Sequence, residues 1–597
     1  MQRSASVLAF LLLAPGFAWT QMMTMPAISL SGQADQISAP QPNVPPEQRC
    51  VVAGRVTNSL TGEPVKKATI RLSANRTEGG MRGLPLMTLL QSGGQGYSTS
   101  TDSDGSFRIE GVNPGQYLLW VNRTGFLNTS YGSKRPAQAG SAITLSPGQQ
   151  LTNLAVAMTP QSVINGKVMD ADGDAVPGGI VQALAPMWMR GKLRYTPRGS
   201  GQINDLGEYR IPNLPPGKYF VFAQMHNNTP AGEVITGKPD IRPVRTYYPS
   251  SIAFAGASPV EVTAGQDASG IDVRIQSVQT YHIRGRVSGL ASNNAHERSV
   301  VNLTPRDDAF MVFNAQSSLR PDGSFDIAGV APGGYYLNMF SMAGRIRNYA
   351  RQEIDVGTGD IDGVVLIVTP PGSIKGVARL EGTPPANSPQ VSASSLHVNL
   401  MPAEMTGMMG GPANAKFSAD GTFTVENVSP GKFYVQTNAP PGTYLKSIRF
   451  GNAEILGKEL DLSGGAAGQL DLVYRYGPGE IDGQLDSPQN GTTDTASATT
   501  QVVVVPEELH ADGTGVRFAS PDAKGNFKLP NLPPGRYRAY ALEEVNYNAL
   551  QNPDVLKQLE TMSPAFEVKE NENKQVQLHV ILQNELDQLY ARLGVQP

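Results

Sequence analysis

The chain holds a single cysteine, Cys50, among 597 residues. No internal disulfide is possible, so an exported fold must be held by packing alone, even in an oxidising compartment. Charge is also scarce. Lys, Arg, Asp and Glu make up 17% of the residues, the formal net charge is −3, and no basic run occurs. Those numbers exclude nucleic acid and an anionic membrane surface as main partners. Past the N-terminus no apolar run spans a bilayer, so the mature chain is expected to carry no transmembrane segment. The six histidines (His226, His282, His296, His397, His510 and His579) are dispersed. None forms an H-E-x-x-H zinc motif; the run from His296 starts like one, but Val300 stands where the second histidine belongs. No G-x-S-x-G nucleophile elbow occurs either. The expectation is a protein with no catalytic residues, no metal and no cofactor.

What is abundant is turn chemistry: 64 glycines and 46 prolines. The N-terminus reads as a secretory signal over residues 1–20. Arg3 supplies the charge, Val7 to Ala14 the apolar core, and the small residues around Ala18 the cleavage site. Cys50 lies too far from that core to serve as a lipid anchor, and is read as a small residue opening the first strand. Residues 21–48, rich in Pro, Ser and Gln, read as a flexible lead-in.

The stretch "TDSDGSFRIEGVNPGQY" (Thr101–Tyr117) recurs as "NDLGEYRIPNLPPGKY", "RPDGSFDIAGVAPGGY", "SADGTFTVENVSPGKF" and "DAKGNFKLPNLPPGRY". The glycine of each Pro-Gly pair falls at Gly115, Gly217, Gly333, Gly431 and Gly535, a period of roughly one hundred residues. That is the size of a β-sandwich, not of a solenoid unit. Each copy also opens alike, around Gly54, Gly166, Gly285, Gly376 and Gly483, and closes with two further strand-like runs. Ile271, Val273 and Ile275 alternate with Asp272 and Arg274, which predicts a half-buried strand. Helical periodicity is confined to Pro553–Glu560 and Glu585–Leu593. The fold class expected is all-β: five tandem immunoglobulin-like or transthyretin-like sandwiches of about seven strands each. The boundaries read are 49–159, 160–278, 279–369, 370–476 and 477–583, followed by a short C-terminal tail, 584–597.

Within the repeated phrase, Gly105 suits a tight turn beside a short acid. Phe107 and Ile109 then face one way, Arg108 and Glu110 the other. Pro114-Gly115 suits the centre of a type II turn. Tyr117, Leu119 and Val121 form the next inward row. Asp102 and Asp104 invite a calcium reading, but an EF-type loop counted from Asp102 has Asn113 at its twelfth position. Sibling copies place Leu206 or Lys524 where the second acid stands, so turn chemistry explains what calcium does not.

At these residues the chain resembles the carboxypeptidase regulatory-like domain family, through its opening G-x-V strand, its D-x-x-G-x-F and its V-x-P-G-x-Y. The resemblance covers residues 49–583 in five copies. It implies a transthyretin-like or immunoglobulin-like sandwich, grouped with carbohydrate-binding-like folds, and none of the peptidase's catalytic residues. Arg320 and Ser418 depart from the family's acid in the third and fourth copies. Collagen-adhesin B-type domains share the Pro-Gly-x-Tyr turn and often carry an isopeptide bond that needs a buried acid. The matching positions here are Val121, Ala223, Met339, Thr437 and Ala541, so no such cross-link is expected.

Three further places bear on function. "APMWMRGKLRY" sets Trp188 and Tyr195 beside basic residues and is the candidate ligand-binding cluster, since aromatic faces stack on sugars. The competing reading is that they cover the sandwich or touch the next domain. Trp120 lies out of phase with Tyr117 and Leu119, which points it outward or between domains. The Met-rich run Met401–Pro412 reads as a loop rather than a soft-metal site. The function expected is a secreted, periplasmic or cell-surface, non-enzymatic binding or adhesion protein whose partner is a polysaccharide or another cell-envelope component. The alternative is a structural stalk or assembly scaffold of the cell envelope without a specific glycan ligand, and a third reading is a hydrolase-associated accessory protein.

Overall fold

The structure is a computed structural model that describes residues 44–74, 96–133, 135–136, 138, 140–225, 240–290, 299–306, 315–343, 346–384, 395–403, 413–466, 468–486, 500–510, 515–522 and 524–595. Met1–Pro46 and Glu47–Pro597 are separate units. The signal sequence and most of the lead-in lie outside the described residues, as do His226, His296 and the Met-rich run beyond Ala403.

The second unit is built of β-sandwiches, and one topology recurs in it. In the first copy the opening strand Cys50–Asn58 pairs antiparallel with Ser106–Val112 and parallel with Gln150–Met158. Facing it is a sheet in the order Gly96–Ser100, Thr69–Ala74, Gly115–Asn122, Thr129–Ser130. The opening strands Ser162–Met169, Tyr281–Ser288, Gly372–Glu381 and Gly479–Leu485 each repeat the arrangement, antiparallel on one side and parallel on the other. The fourth copy differs in two respects, the first being that Thr443–Phe450 joins its opening-strand sheet beside Gln469–Tyr476. The second is that Ala413–Phe417 pairs with both Val398–Pro402 and Thr422–Val428, which joins its two sheets into a nine-stranded one.

Alternation fills the cores. Phe107, Ile109, Tyr117, Leu119 and Val121 are buried with Val52, Val56, Ile70 and Leu72 in the first copy. Arg108 and Glu110, on the other face, form an exposed 2.6 Å ion pair. Each large apolar side chain buried this way contributes about 1.5–3 kcal/mol. The positions matching the isopeptide acid of adhesin domains are built into these cores: Val121, Ala223, Met339 and Ala541 are all buried.

The opening glycine has a steric cause. A Cβ on Gly54 would collide with the carbonyl oxygen of Leu154 on the parallel strand. The same clash meets Gly166 at Ile271, Gly285 at Val364, Gly376 at Leu470 and Gly483 at Val576. A second recurring device was not anticipated from the sequence. Gly111, Asn213, Gly329, Asn427 and Asn531 all have positive φ, between 59° and 72°. The register slips beside each of them, as in a β-bulge with a left-handed residue.

Three expectations need correction. Gly115, Gly217, Gly333 and Gly431 have φ of 148–155°, not the roughly +80° of a type II turn. The Pro-Gly corner leads straight into a strand instead of closing a tight turn, and Gly535 lies outside this φ range. Second, the run around Ile271 is not one strand. Asp267–Ala268 and Val273–Arg274 are separated at Gly270 (φ 76°), and the Asp272 carboxylate takes the Lys167 N–H in place of a backbone carbonyl, at 2.8 Å. Third, residues past 583 are a packed element. Helix Gln583–Arg592 buries Leu586, Leu589 and Tyr590 against Val503, Tyr540 and Leu542, alongside helix Pro553–Leu559. Among the described residues no helix is long and apolar enough to cross a membrane.

Candidate functional site

The acids of the repeated phrase serve the backbone. Asp102 Oδ1 accepts the N–H groups of Asp104 and Ser106 at 3.0 and 2.8 Å. Asn204 and Asp522 do the same in the second and fifth copies. Where Arg320 and Ser418 replace the acid, the task moves two residues on: Asp322 and Asp420 accept from the N–H and hydroxyl of Ser324 and Thr422. The hydroxyl and amide of Ser324 hold the Asp322 carboxyl below the usual carboxylate range, Thr422 does so for Asp420, and Asn526 for Asp522. The Pro-Gly corner is tied in a similar way. Tyr117, Tyr219, Tyr335 and Tyr537 each donate a hydroxyl hydrogen bond of 2.6–2.9 Å to the carbonyl four residues earlier. Burial pushes the phenols of Tyr117, Tyr219 and Tyr537 up to about 12. The fourth copy has Phe433 there and lacks this bond.

Concave polar surface is found on the second copy, where the split parallel strand leaves a groove of about 700 Å³. Asn165, Lys167, Asn204, Glu208, Arg210 and Asp267 are among its lining residues. Asn165 bonds Asp267, and Lys167 lies 3.4 Å from Glu208. Tyr209 closes the floor by donating to Ile271 O at 2.5 Å, and burial raises its phenol strongly.

The aromatic cluster singled out by the sequence lies on the long hairpin Gly179–Met189 and Lys192–Gln202 of the same copy. Trp188 pairs with Leu193 and Tyr195 with Pro186, so Trp188 and Tyr195 share a face of the sheet. Tyr195 is packed on Phe220 and Phe254, with ring centroids 5.3 and 4.5 Å away. Phe222, Tyr247 and Leu184 complete this small outer core. Tyr195 therefore covers the sandwich. Trp188 is half-buried, and its N–H donates to Asn548 Oδ1 of the fifth copy at 2.6 Å.

The hairpin tip is a two-residue turn, Arg190-Gly191, with φ of 50° and 72°. Both values are positive, as a type I′ turn requires, but an arginine there carries backbone strain. Its side chain supplies a reason for that strain. Arg190 Nη1 donates to the carbonyls of Pro402 and Ala403 at 3.0 and 3.1 Å, and its guanidinium lies 4.8 Å from the Tyr434 ring centroid. The Arg190 N–H also donates to Gln551 Oε1 at 2.8 Å. One tip thus grips the fourth and fifth copies together.

A second long-range contact starts from the first copy. Arg135 pairs with Asp587 and lies over the Tyr590 ring at 5.4 Å. Ser133 Oγ donates to Glu544 Oε1 at 3.1 Å, and Gln583 braces Asp587 at 2.8 Å. Sequence reading missed Arg135, Arg190, Asn548 and Gln551 as contact residues. The "RG" pair at a hairpin centre was the one local signal for Arg190; nothing local marks its acceptors.

Comparison with known proteins places part of the chain. The model of the carboxypeptidase regulatory-like domain matches residues 51–159. Colossin-A of Dictyostelium discoideum is 25% identical over 263 residues, 41% of this chain but 2% of that protein's length. Among solved structures, the Bacillus anthracis TIE protein aligns over 53% of this chain and 51% of its own, with 12% identity and a TM-score of 0.14. The minor pilin of Streptococcus agalactiae aligns over 39% of this chain and 96% of its own, with 13% identity and a TM-score of 0.21. The first sandwich, with its opening Gly54 strand and its Asp102–Tyr117 corner, is thus the part of the chain that matches the carboxypeptidase regulatory-like domain.

Proposed function

We propose that this chain is a non-catalytic scaffold of the cell envelope, exported by its N-terminal segment and built from five regulatory-like sandwiches bounded at 49–159, 160–278, 279–369, 370–476 and 477–583. The observation that carries the reading is cross-bracing between copies remote in sequence. Arg190 of the second copy engages the fourth and fifth, and Arg135 of the first engages the C-terminal helix. A chain of independent binding modules has no use for such contacts, whereas a scaffold needs fixed spacing between its parts. The polar groups of the repeated phrase are also engaged in holding turns and corners. The test is fractionation of the mature chain with envelope material, together with its thermal unfolding. Retention in the envelope fraction and one cooperative transition are expected. Failure to co-fractionate, with several independent transitions, overturns the reading.

A second reading rests on the groove beside Asn165, whose lining of amides, carboxylates and basic groups suits a polyhydroxylated ligand such as a glycan. It predicts retention on insoluble polysaccharide that is lost in Asn165→Ala. If Trp188 and Tyr195 contribute to the same ligand, Trp188→Ala weakens retention as well.

A further inference from the structure

The connections between successive copies are unequal. Between the first and second, Leu127 N–H donates to Thr159 O at 2.9 Å, and Gln161 N–H to Gly125 O at 3.0 Å. Between the second and third, Ile241–Pro243 forms a ladder with Ser277–Gln279, and Thr280 N–H donates to Asp240 O at 2.8 Å. Between the fourth and fifth, Glu570 takes the Tyr444 hydroxyl at 2.7 Å and pairs with Arg475 at 3.0 Å, while Asn571 N–H donates to Gly477 O at 3.0 Å. These three junctions are laced by hydrogen bonds to the connecting chain or across it.

The third-to-fourth connection is built differently. Thr369 is still tied to the third copy by its bridge to Tyr349, and Gly372 already pairs with Val428 of the fourth. Between them stand Pro370 and Pro371, neither of which has an N–H to donate. Gly372 follows, the residue with the widest choice of backbone angles. The contacts described above that join the first three copies to the last two fall at two places, the Arg190 tip and the Arg135 loop. Both are polar, and both involve few residues.

We propose that residues 50–369 and 372–595 are two bodies hinged at Pro370–Gly372 and held shut by the Arg190 and Arg135 clasps. In the closed form the hairpin edge at Trp188 and Arg190 is paired with Asn548 and Gln551, and Tyr434 lies beneath the Arg190 guanidinium. Opening frees both sides at once. It presents an aromatic and amide surface on the second body and a strand tip on the first. The proposal rests on the contacts themselves and holds whether or not the chain belongs to the cell envelope.

The hinge and clasps are tested in the full mature chain by single-molecule energy transfer between dyes at Leu60→Cys and Leu509→Cys, one on each body and both exposed. Cys50 is buried and does not compete for label. Arg190→Gly together with Asn548→Ala and Gln551→Ala keeps the positive-φ hairpin tip and removes both the guanidinium contacts and the acceptors of the tip's N–H groups, so the second copy still folds; Arg135→Ala removes the other clasp, and the double variant lacks both clasps. The wild type is expected to give one transfer population, and the double variant a shifted and broader one. Exchange of the Trp188 amide should accelerate roughly tenfold in the double variant, the loss expected when one hydrogen bond is removed. Exchanging the charges, Arg135→Asp with Asp587→Arg, should restore the closed population in a chain that otherwise retains Arg190. An unchanged transfer distribution in the double variant overturns the proposal. So does a wild-type distribution as broad as the variant's.

Discussion

The corner phrase Asp102–Tyr117 and the hairpin tip Trp188–Lys192 are both short, turn-rich and studded with polar residues, yet they serve different partners. The corner bonds within its own copy. Asp102 holds the amides of Asp104 and Ser106, and Tyr117 reaches to Asn113 and packs on Tyr97 of the same copy. The tip bonds to residues more than 200 positions away, Pro402, Asn548 and Gln551. A motif that closes a local fold is repeated wherever that fold is repeated. A motif that joins one copy to another occurs once, because its acceptors occur once.

The largest effect that would break the local half of this comparison comes from Gly54→Val. The new side chain collides with the Leu154 backbone of the parallel strand, so about 3 kcal/mol is expected to be lost from the first sandwich, read as a drop in its urea midpoint. Next comes Arg190→Ala, which removes two charge-assisted hydrogen bonds to carbonyls. About 2 kcal/mol of coupling between the second copy and the fourth should disappear, while the core around Val181 and Tyr219 keeps its own stability. Native-state hydrogen exchange separates the two quantities. Tyr117→Phe should cost about 1 kcal/mol, because one hydroxyl-to-carbonyl bond is lost while the ring stays packed; Phe433 in the fourth copy is the natural precedent.

The smallest effect is alkaline. The phenols of Tyr219 and Tyr537 are raised to about 12 by burial, so the fold favours their protonated form. Their contribution is complete below the ordinary tyrosine range near 10 and is lost as pH rises toward 12. At pH 10 each accounts for about 0.4 kcal/mol, and stability measured by denaturant should begin to fall there. Tyr219→Phe should remove its share of that slope.

The local half was legible from sequence because its causes are local. Alternation set Phe107 and Ile109 inward, and five aligned copies showed which residues the corner needs. The left-handed bulge at Gly111, Asn213, Gly329, Asn427 and Asn531 was also written there, since glycine and asparagine are the residues that tolerate such φ values. The neighbouring Pro-Gly pair, a stronger turn signal, masks it. The break at Gly270 was hidden for a different reason. Ile271, Val273 and Ile275 alternate as a strand should, and only the three-dimensional position of Asp272 opposite Lys167 lets a side chain replace the ladder. The clasps could not be read at all. Asn548 and Gln551 are ordinary polar residues until the fold brings the hairpin to them, and Trp188 drew a ligand reading because its nearest described partner lies in another copy.

The most direct test of this account is hydrogen exchange at the Trp188 and Arg190 amides in the full chain. If the tip joins the copies, both amides are protected in the wild type and lose that protection in Asn548→Ala/Gln551→Ala, while the amides of Asp104 and Ser106 exchange as before. Trp188 and Arg190 amides that exchange in the wild type as fast as open loops, or that are indifferent to the loss of Asn548 and Gln551, would contradict it.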